Sequence, residues 1–111
     1  MNYTHSQIDN IDILELEESI DLYSTPMVKK FAKTLLNSPD RKIIISLEKV
    51  TFIDSSGLGM LVNLFFECRQ KNIPIRLAVL SDKAKKIFTI SKLNENYQIY
   101  STIEEAMQSF S

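Results

Sequence analysis

Cysteine is all but missing from this chain. Cys68 stands alone, so no disulfide can close within the 111 residues, and a reducing compartment is the expected setting. Histidine is as scarce: His5 is the only one, and with scattered carboxylates it gives no ligand cluster at workable spacing, so neither a metal nor any other cofactor is expected. Neither sign of charge is in excess. Thirteen Lys plus Arg face 14 Asp plus Glu for a formal net charge of -1, which provides no basic field for nucleic acid or anionic lipid. No run approaches the roughly 20 apolar residues that a spanning helix needs, and Met1 to Ser6 shows no charged flank followed by an apolar core. Nucleic acid and membrane are thus not expected partners, and the cytoplasm is the expected location. Glycine occurs only twice, as Gly57 and Gly59. With 44% hydrophobic and 24% charged residues, the composition is that of one globular domain over residues 1–111.

Both glycines fall in the stretch around which the chain is organised, Ile43 to Lys71. Ile43, Ile44, Ile45 and Leu47 form a nearly continuous apolar run, suited to a strand covered on both faces. Glu48 and Lys49 are expected to break it before Val50-Thr51-Phe52-Ile53 leads to Asp54. The short carboxylate of Asp54 suits the free amides of a starting helix. Leu58, Leu61, Val62, Phe65 and Cys68 then recur at steps of three and four, with Asn63, Glu67 and Gln70 opposite. Glycine costs about 1 kcal/mol relative to alanine inside a helix. Gly57 and Gly59 in the first turn therefore point to close approach of a ligand or partner. Met60 falls on the polar border of the wheel, which predicts an exposed apolar side chain suited to protein contact; packing on a neighbouring helix is the alternative.

Elsewhere strands and helices alternate. Tyr3 to Ile8 and Ile11 to Glu17 are predicted strands joined at Asp9-Asn10, and Glu17 to Asp21 a polar loop. Ser24 or Thr25 before Pro26 starts a helix with a stripe of Val28, Phe31, Ala32, Leu35 and Leu36, ended by Asn37-Ser38-Pro39-Asp40. After a turn at Lys71-Asn72 comes a strand over Ile75 to Leu80. Ser81 or Asp82 then caps a helix with Ala84, Ile87, Phe88 and Ile90 as its apolar positions. Tyr97 to Tyr100 is a last strand, and Ser101 or Thr102 opens a helix carrying Ile103, Ala106, Met107 and Phe110. Such alternation implies an α/β class with a parallel or mixed sheet.

Three chemistries compete for Ser55 and Ser56. Acyl transfer needs a base beside the serine, but the pattern is Asp-Ser-Ser-Gly rather than Gly-x-Ser-x-Gly, and His5 lies in an expected edge strand, exposed to solvent. Phosphate cradling by Gly57-Leu58-Gly59 lacks the third glycine of a dinucleotide loop and the lysine of a P-loop. Acceptance of a phosphoryl group fits better. A phosphate on a first turn meets free amides and the positive helix end, gaining about 0.3 to 1 kcal/mol and up to about 2. It also adds about two negative charges beside Asp54, which a docked partner must meet. Simple helix capping by both serines is the remaining alternative.

The string Phe52-Ile53-Asp54-Ser55-Ser56-Gly57-Leu58-Gly59 joins a strand to an amphipathic helix. An apolar strand follows, and Tyr97-Gln98-Ile99-Tyr100 precedes Ile103-Glu104-Glu105-Ala106. Over nearly its whole length the chain resembles the STAS family, specifically the stand-alone bacterial anti-sigma factor antagonists. The resemblance implies a mixed sheet of about four or five strands flanked by about four helices. It implies that Ser55 is phosphorylated by a partner that is both anti-sigma factor and serine kinase of the histidine-kinase-like ATPase type. A PP2C-type phosphatase reverses the step, and the unmodified form binds the anti-sigma factor. Asp21, Asp54, Ser56, Gly57, Leu58, Gly59 and Met60 are the implied partner-binding residues, and the chain is a kinase substrate, not an enzyme. Where the family usually has Gly-Glu-Leu-Asp after the second strand, this chain has Glu18-Ser19-Ile20-Asp21. Where a glycine often follows the third helix, it has Ser91-Lys92-Leu93; a lysine at positive φ there costs roughly 1 kcal/mol unless the turn differs. STAS domains also serve as constitutive subunits of lipid-transport complexes and as tails of anion transporters. In that reading the serine only caps its helix.

Overall fold

The hairpin at the amino end sets the edge of a sheet. In the computed structural model, which describes residues 3–37, 40–90 and 99–110, β1 (Tyr3–Ile8) runs antiparallel to β2 (Ile11–Ile20). Asp9 turns the chain with φ 55°, a left-handed conformation that aspartate tolerates. There follow α1 (Thr25–Leu35), β3 (Lys42–Ile53), α2 (Ser55–Gln70), β4 (Ile75–Leu80), α3 (Asp82–Ile90), β5 (Ile99–Tyr100) and α4 (Ile103–Gln108). Among the described residues the strands stand in chain order, and every pair after the hairpin is parallel.

Right-handed crossovers between consecutive parallel strands put α1, α2 and α3 on one face. There Leu14, Leu16, Ile43 and Ile45 pack with Val28, Leu61, Phe65 and Phe88. Ile11, Ile13, Ile44 and Ala78 point the other way, under Ala106 of α4. The central strand is covered on both sides, which is why Ile43-Ile44-Ile45 needs no polar alternation.

Several predicted boundaries move. β3 is not broken at Glu48-Lys49 but bulged: pairing steps from Glu15 and Ser46 to Glu17 and Lys49, then from Glu18 and Val50 to Ser19 and Phe52. Each step leaves an extra residue on β3, and Glu18 opposite takes φ 62°. β2 accordingly continues through Ile20, where a polar loop was expected from Glu17. The buried stripe of α2 is Gly57, Met60, Leu61, Leu64, Phe65 and Cys68, turned from the predicted one toward α1, against which α2 packs. Ile90 is 77% exposed rather than part of the α3 stripe. Of the predicted strand Tyr97–Tyr100, Ile99 and Tyr100 form β5; Tyr97 and Gln98 lie outside the described residues, as do Ser91-Lys92-Leu93 and Ser38-Pro39.

His5 is not the solvent-facing side chain expected of an edge. Its Nε2 lies 2.9 Å from Asp12 Oδ1, and its ring meets Phe31 edge-on at 4.9 Å. Asp12, 1% exposed, also accepts from Gln7 Nε2 at 2.9 Å and from Arg41 Nε at 2.8 Å. Burial opposes the charge on Asp12, but the bonds from Arg41, His5 and Gln7 outweigh it and hold the carboxyl below its ordinary range.

Candidate functional site

β3 delivers the chain to Asp54 at the carboxyl end of the parallel strands, the edge of α/β sheets where ligands and partners usually bind. Asp54 is extended (φ -96°, ψ -176°), and its Oδ1 accepts the Gly57 amide at 2.9 Å, capping α2 as the sequence predicts. Its other oxygen, Oδ2, accepts the amide of Leu22 at 3.1 Å. The Asp54 amide donates to Ile20 O at 3.1 Å. The start of α2 is thereby fastened to the exit of β2.

The exit of β2 also explains Gly57. A Cβ there would collide with the Ile20 carbonyl oxygen and stand 2.7 Å from Ile20 Cγ2. Gly57 is buried by its own chain, so the expected access for a partner is corrected to a close internal approach. Gly59 is exposed and has nothing within 4 Å of an added Cβ. Met60 follows the alternative reading, packing on a neighbouring helix, and not the exposed one. Only 6% exposed, it faces α1 beside a small groove lined by Lys29, Ala32 and Lys33.

Asp21 organises the loop rather than presenting a free carboxylate. Its Oδ1 accepts the Tyr23 and Ser24 amides, both at 3.0 Å, and its Oδ2 accepts the Ser19 hydroxyl at 3.1 Å. Ser24 Oγ accepts the Asp21 amide at 2.9 Å and donates to Ser19 O at 2.8 Å. The Ser24 amide is the chief reason that the Asp21 carboxyl lies below its ordinary value. Shaped this way, the loop displays Leu22, 62% exposed, and Tyr23, 89% exposed. Met27 in the first turn of α1 and Phe52 just before Asp54 are each 53% exposed.

Ser55 is the first residue of α2. It is exposed, and its hydroxyl has no hydrogen-bond partner among the described residues. Ser56 and Leu58 are half-buried. First-turn amides have no acceptor within their own helix, so Ser55 and Ser56 contribute free donors at its positive end. At the start of α2 the structure thus leaves Ser55 and Gly59 exposed and Asp54, Ser56 and Leu58 half-buried, with Gly57 and Met60 buried and Asp21 inside the adjoining loop. Sequence reasoning missed Leu22, Tyr23, Met27 and Phe52. An apolar Leu22-Tyr23 pair between a polar loop and a helix start was a signal, since neither side chain fits either neighbouring stripe.

The surroundings hold little other chemistry. The imidazole of His5 is engaged by Asp12. Burial pushes the Cys68 thiol up to about 12, which disfavours the thiolate. Among the described residues no group of three His, Cys, Asp or Glu is placed to hold a metal ion, and no helix is long and apolar enough to cross a membrane.

A family model described as the STAS domain matches residues 3–106. An anti-sigma-B factor antagonist of Listeria monocytogenes is 34% identical over 91 residues, 82% of this chain and 79% of that protein. A candidate anti-sigma factor antagonist of Thermotoga maritima, 26% identical, has a crystal structure that superposes with a TM-score of 0.89 over 96% of this chain and 92% of that one. The Bacillus cell fate determinant SpoIIAA in its phosphorylated form shares the fold, at 21% identity and a TM-score of 0.78 over 98% and 99% of the two chains. The mixed five-stranded sheet with four helices among the described residues is the α/β architecture of these structures. The chain belongs to the STAS domain family, among the anti-sigma factor antagonists.

Proposed function

We propose that residues 1–111 act as one cytoplasmic domain that binds an anti-sigma factor while Ser55 is unmodified and releases it when Ser55 is phosphorylated. The partner is an anti-sigma factor that is also a serine kinase of the histidine-kinase-like ATPase type, and a PP2C-type phosphatase restores the unmodified form. The chain supplies no catalytic group or cofactor of its own; it is the kinase's substrate. Ser55 Oγ attacks the terminal phosphorus of ATP, the bond to ADP breaks, and the hydroxyl proton leaves to a base on the kinase.

The observation that carries this reading is the Ser55 hydroxyl, exposed on the first turn of α2 with no hydrogen-bond partner among the described residues, next to Asp54, whose carboxylate holds the amide of exposed Leu22. The adjacent, exposed Leu22 and Tyr23 suit a protein contact there. A dianion added at that border has to be desolvated or repelled by whatever docks there, while free amides stabilise it within its own fold. Ser56, Leu58 and Gly59 extend the contact, and Asp21 and Asp54 shape it.

Kinase and ATP are expected to phosphorylate the wild-type chain, while Ser55→Ala stays unmodified and keeps binding. Phosphopeptide mapping that placed the group on another residue would remove the assignment. Ser55→Asp should bind the partner roughly tenfold more weakly in a calorimetric titration, on the scale of one unfavourable charge at an interface; equal affinity would remove the electrostatic argument.

A further inference from the structure

β1 is a free edge of the sheet, and it is bare. Among the described residues it pairs with β2 alone, while the opposite edge, β5, is only two residues long. The Asn10 carbonyl accepts the Lys42 amide at 2.9 Å, so Asn10, Asp12 and Leu14 turn their backbone groups to β3, and Ile11, Ile13 and Glu15 turn theirs to β1. Their partners Ile8, Ser6 and Thr4 are thereby satisfied inside the hairpin. Tyr3, His5 and Gln7 point their N–H and C=O groups outward instead. Edges are usually blunted by a lysine, a proline, a bulge or a very short strand. β1 uses none of these: Tyr3-Thr4-His5-Ser6-Gln7-Ile8 holds no carboxylate, lysine, arginine or proline, and its register on β2 runs without a shift.

We infer that β1 is a self-association surface: two copies of this chain join edge to edge, β1 antiparallel to β1, in one continuous sheet. Only outward-facing residues can exchange bonds across such a seam, and a register centred on His5 uses all of them. Tyr3 then lies opposite Gln7 of the second copy and His5 opposite its own counterpart, each pair exchanging both N–H···O bonds. The two His5 rings lean apart, each held toward its own β2 by Asp12 Oδ1 at 2.9 Å. Between the bonded pairs, Thr4 faces Ser6 of the second copy as a close pair, small, exposed and uncharged on both sides. Tyr3 stacks on Phe31 of α1 at 5.0 Å, and Met27, one turn earlier on the same side of α1, is 53% exposed. Residues opposite one another in an antiparallel pair point to one face, so both copies carry α1 on the same side of the joined sheet. Phe31 and Met27 then approach their counterparts and gain apolar cover, which favours a second copy over an unrelated strand. The inference stands apart from the role of Ser55, which lies on α2 and not on this edge.

Sedimentation equilibrium of the full chain should show monomer and dimer in exchange. Hydrogen exchange read by nitrogen-15 NMR should slow at the Tyr3, His5 and Gln7 amides as concentration rises. Thr4 and Ser6 are exposed, so the double variant T4K/S6K keeps its fold, which a urea midpoint checks. It sets lysine against lysine across the seam and should weaken association by about tenfold. Mixed with T4E/S6E it should form a heterodimer, because each lysine then faces a carboxylate. Should either variant unfold, the concentration dependence of the wild-type amides decides alone. A chain that stays monomeric up to about 1 mM overturns the inference and leaves the edge to a strand of another protein. A dimer that T4K/S6K leaves intact, with the three amides still exchanging freely, places the contact on another surface and overturns it equally.

Discussion

Gly57 and Gly59 are two positions apart in one helical turn, yet they answer to different constraints. A methyl group at 57 meets a backbone carbonyl that cannot swing aside, whereas at 59 it meets nothing within 4 Å. Gly57→Ala should therefore destabilise the fold by about 1 to 3 kcal/mol, the usual cost of overpacking a closed site. Gly59→Ala should be neutral or stabilising by up to about 1 kcal/mol through helix propensity. Urea denaturation of the two variants checks the contrast, and equal midpoints would contradict the packing at Ile20. The sequence marked both glycines as unusual in a helix. It held no sign of which one touches β2, because that depends on where Ile20 lies, 37 residues earlier in the chain.

Among the elements, α2 and β3 were legible in kind and less so in their faces. Apolar spacing located the helix and Asp54 announced its start, but spacing left Met60 open between solvent and a neighbouring helix. A wheel drawn for a helix that buries only its sheet-facing side cannot show that α2 also packs against α1. The charged Glu48-Lys49 pair read as a break and proved to be a bulge, since an extra residue lets both side chains face solvent without ending the ladder. That bulge carries β3 on to Phe52 and leaves the ring exposed at the strand's end. Tyr23→Ala and Phe52→Ala each remove an exposed ring, so stability should change by no more than about 0.5 kcal/mol. Affinity for the anti-sigma factor should fall by more than about 1 kcal/mol for either, as for aromatic anchors at interface centres. Chemical denaturation and calorimetry on the same samples read both quantities, and unaltered affinity would place the contact elsewhere.

At the level of the whole molecule, alternation of strand and helix was enough to foresee a mixed sheet, because short right-handed crossovers leave few other arrangements. The ion cluster that fastens the edge hairpin was not foreseen: His5, Asp12 and Arg41 are separated in sequence, and only the register of β1 on β2 and the start of β3 brings them together. Asp12 has a folded-state carboxyl held below the ordinary value of 3.8. Its contribution is therefore complete above that value and is lost as pH falls through the lower, folded one. Thermal or urea midpoints should fall with acid below about pH 4, more steeply than in Asp12→Asn, which has no such carboxyl to protonate. Asp12→Ala should lower the same midpoints at neutral pH, because it takes from Arg41, His5 and Gln7 the acceptor they share.

Cys68 turns the same packing into a stopwatch. Its sulfur is closed to solvent in the last turn of α2, and burial favours the protonated thiol. A thiol-reactive dye can reach it only when the helix parts from the sheet. Under conditions where labelling outpaces reclosing, the rate of dye uptake counts how often the chain opens, with no added probe and no competing site.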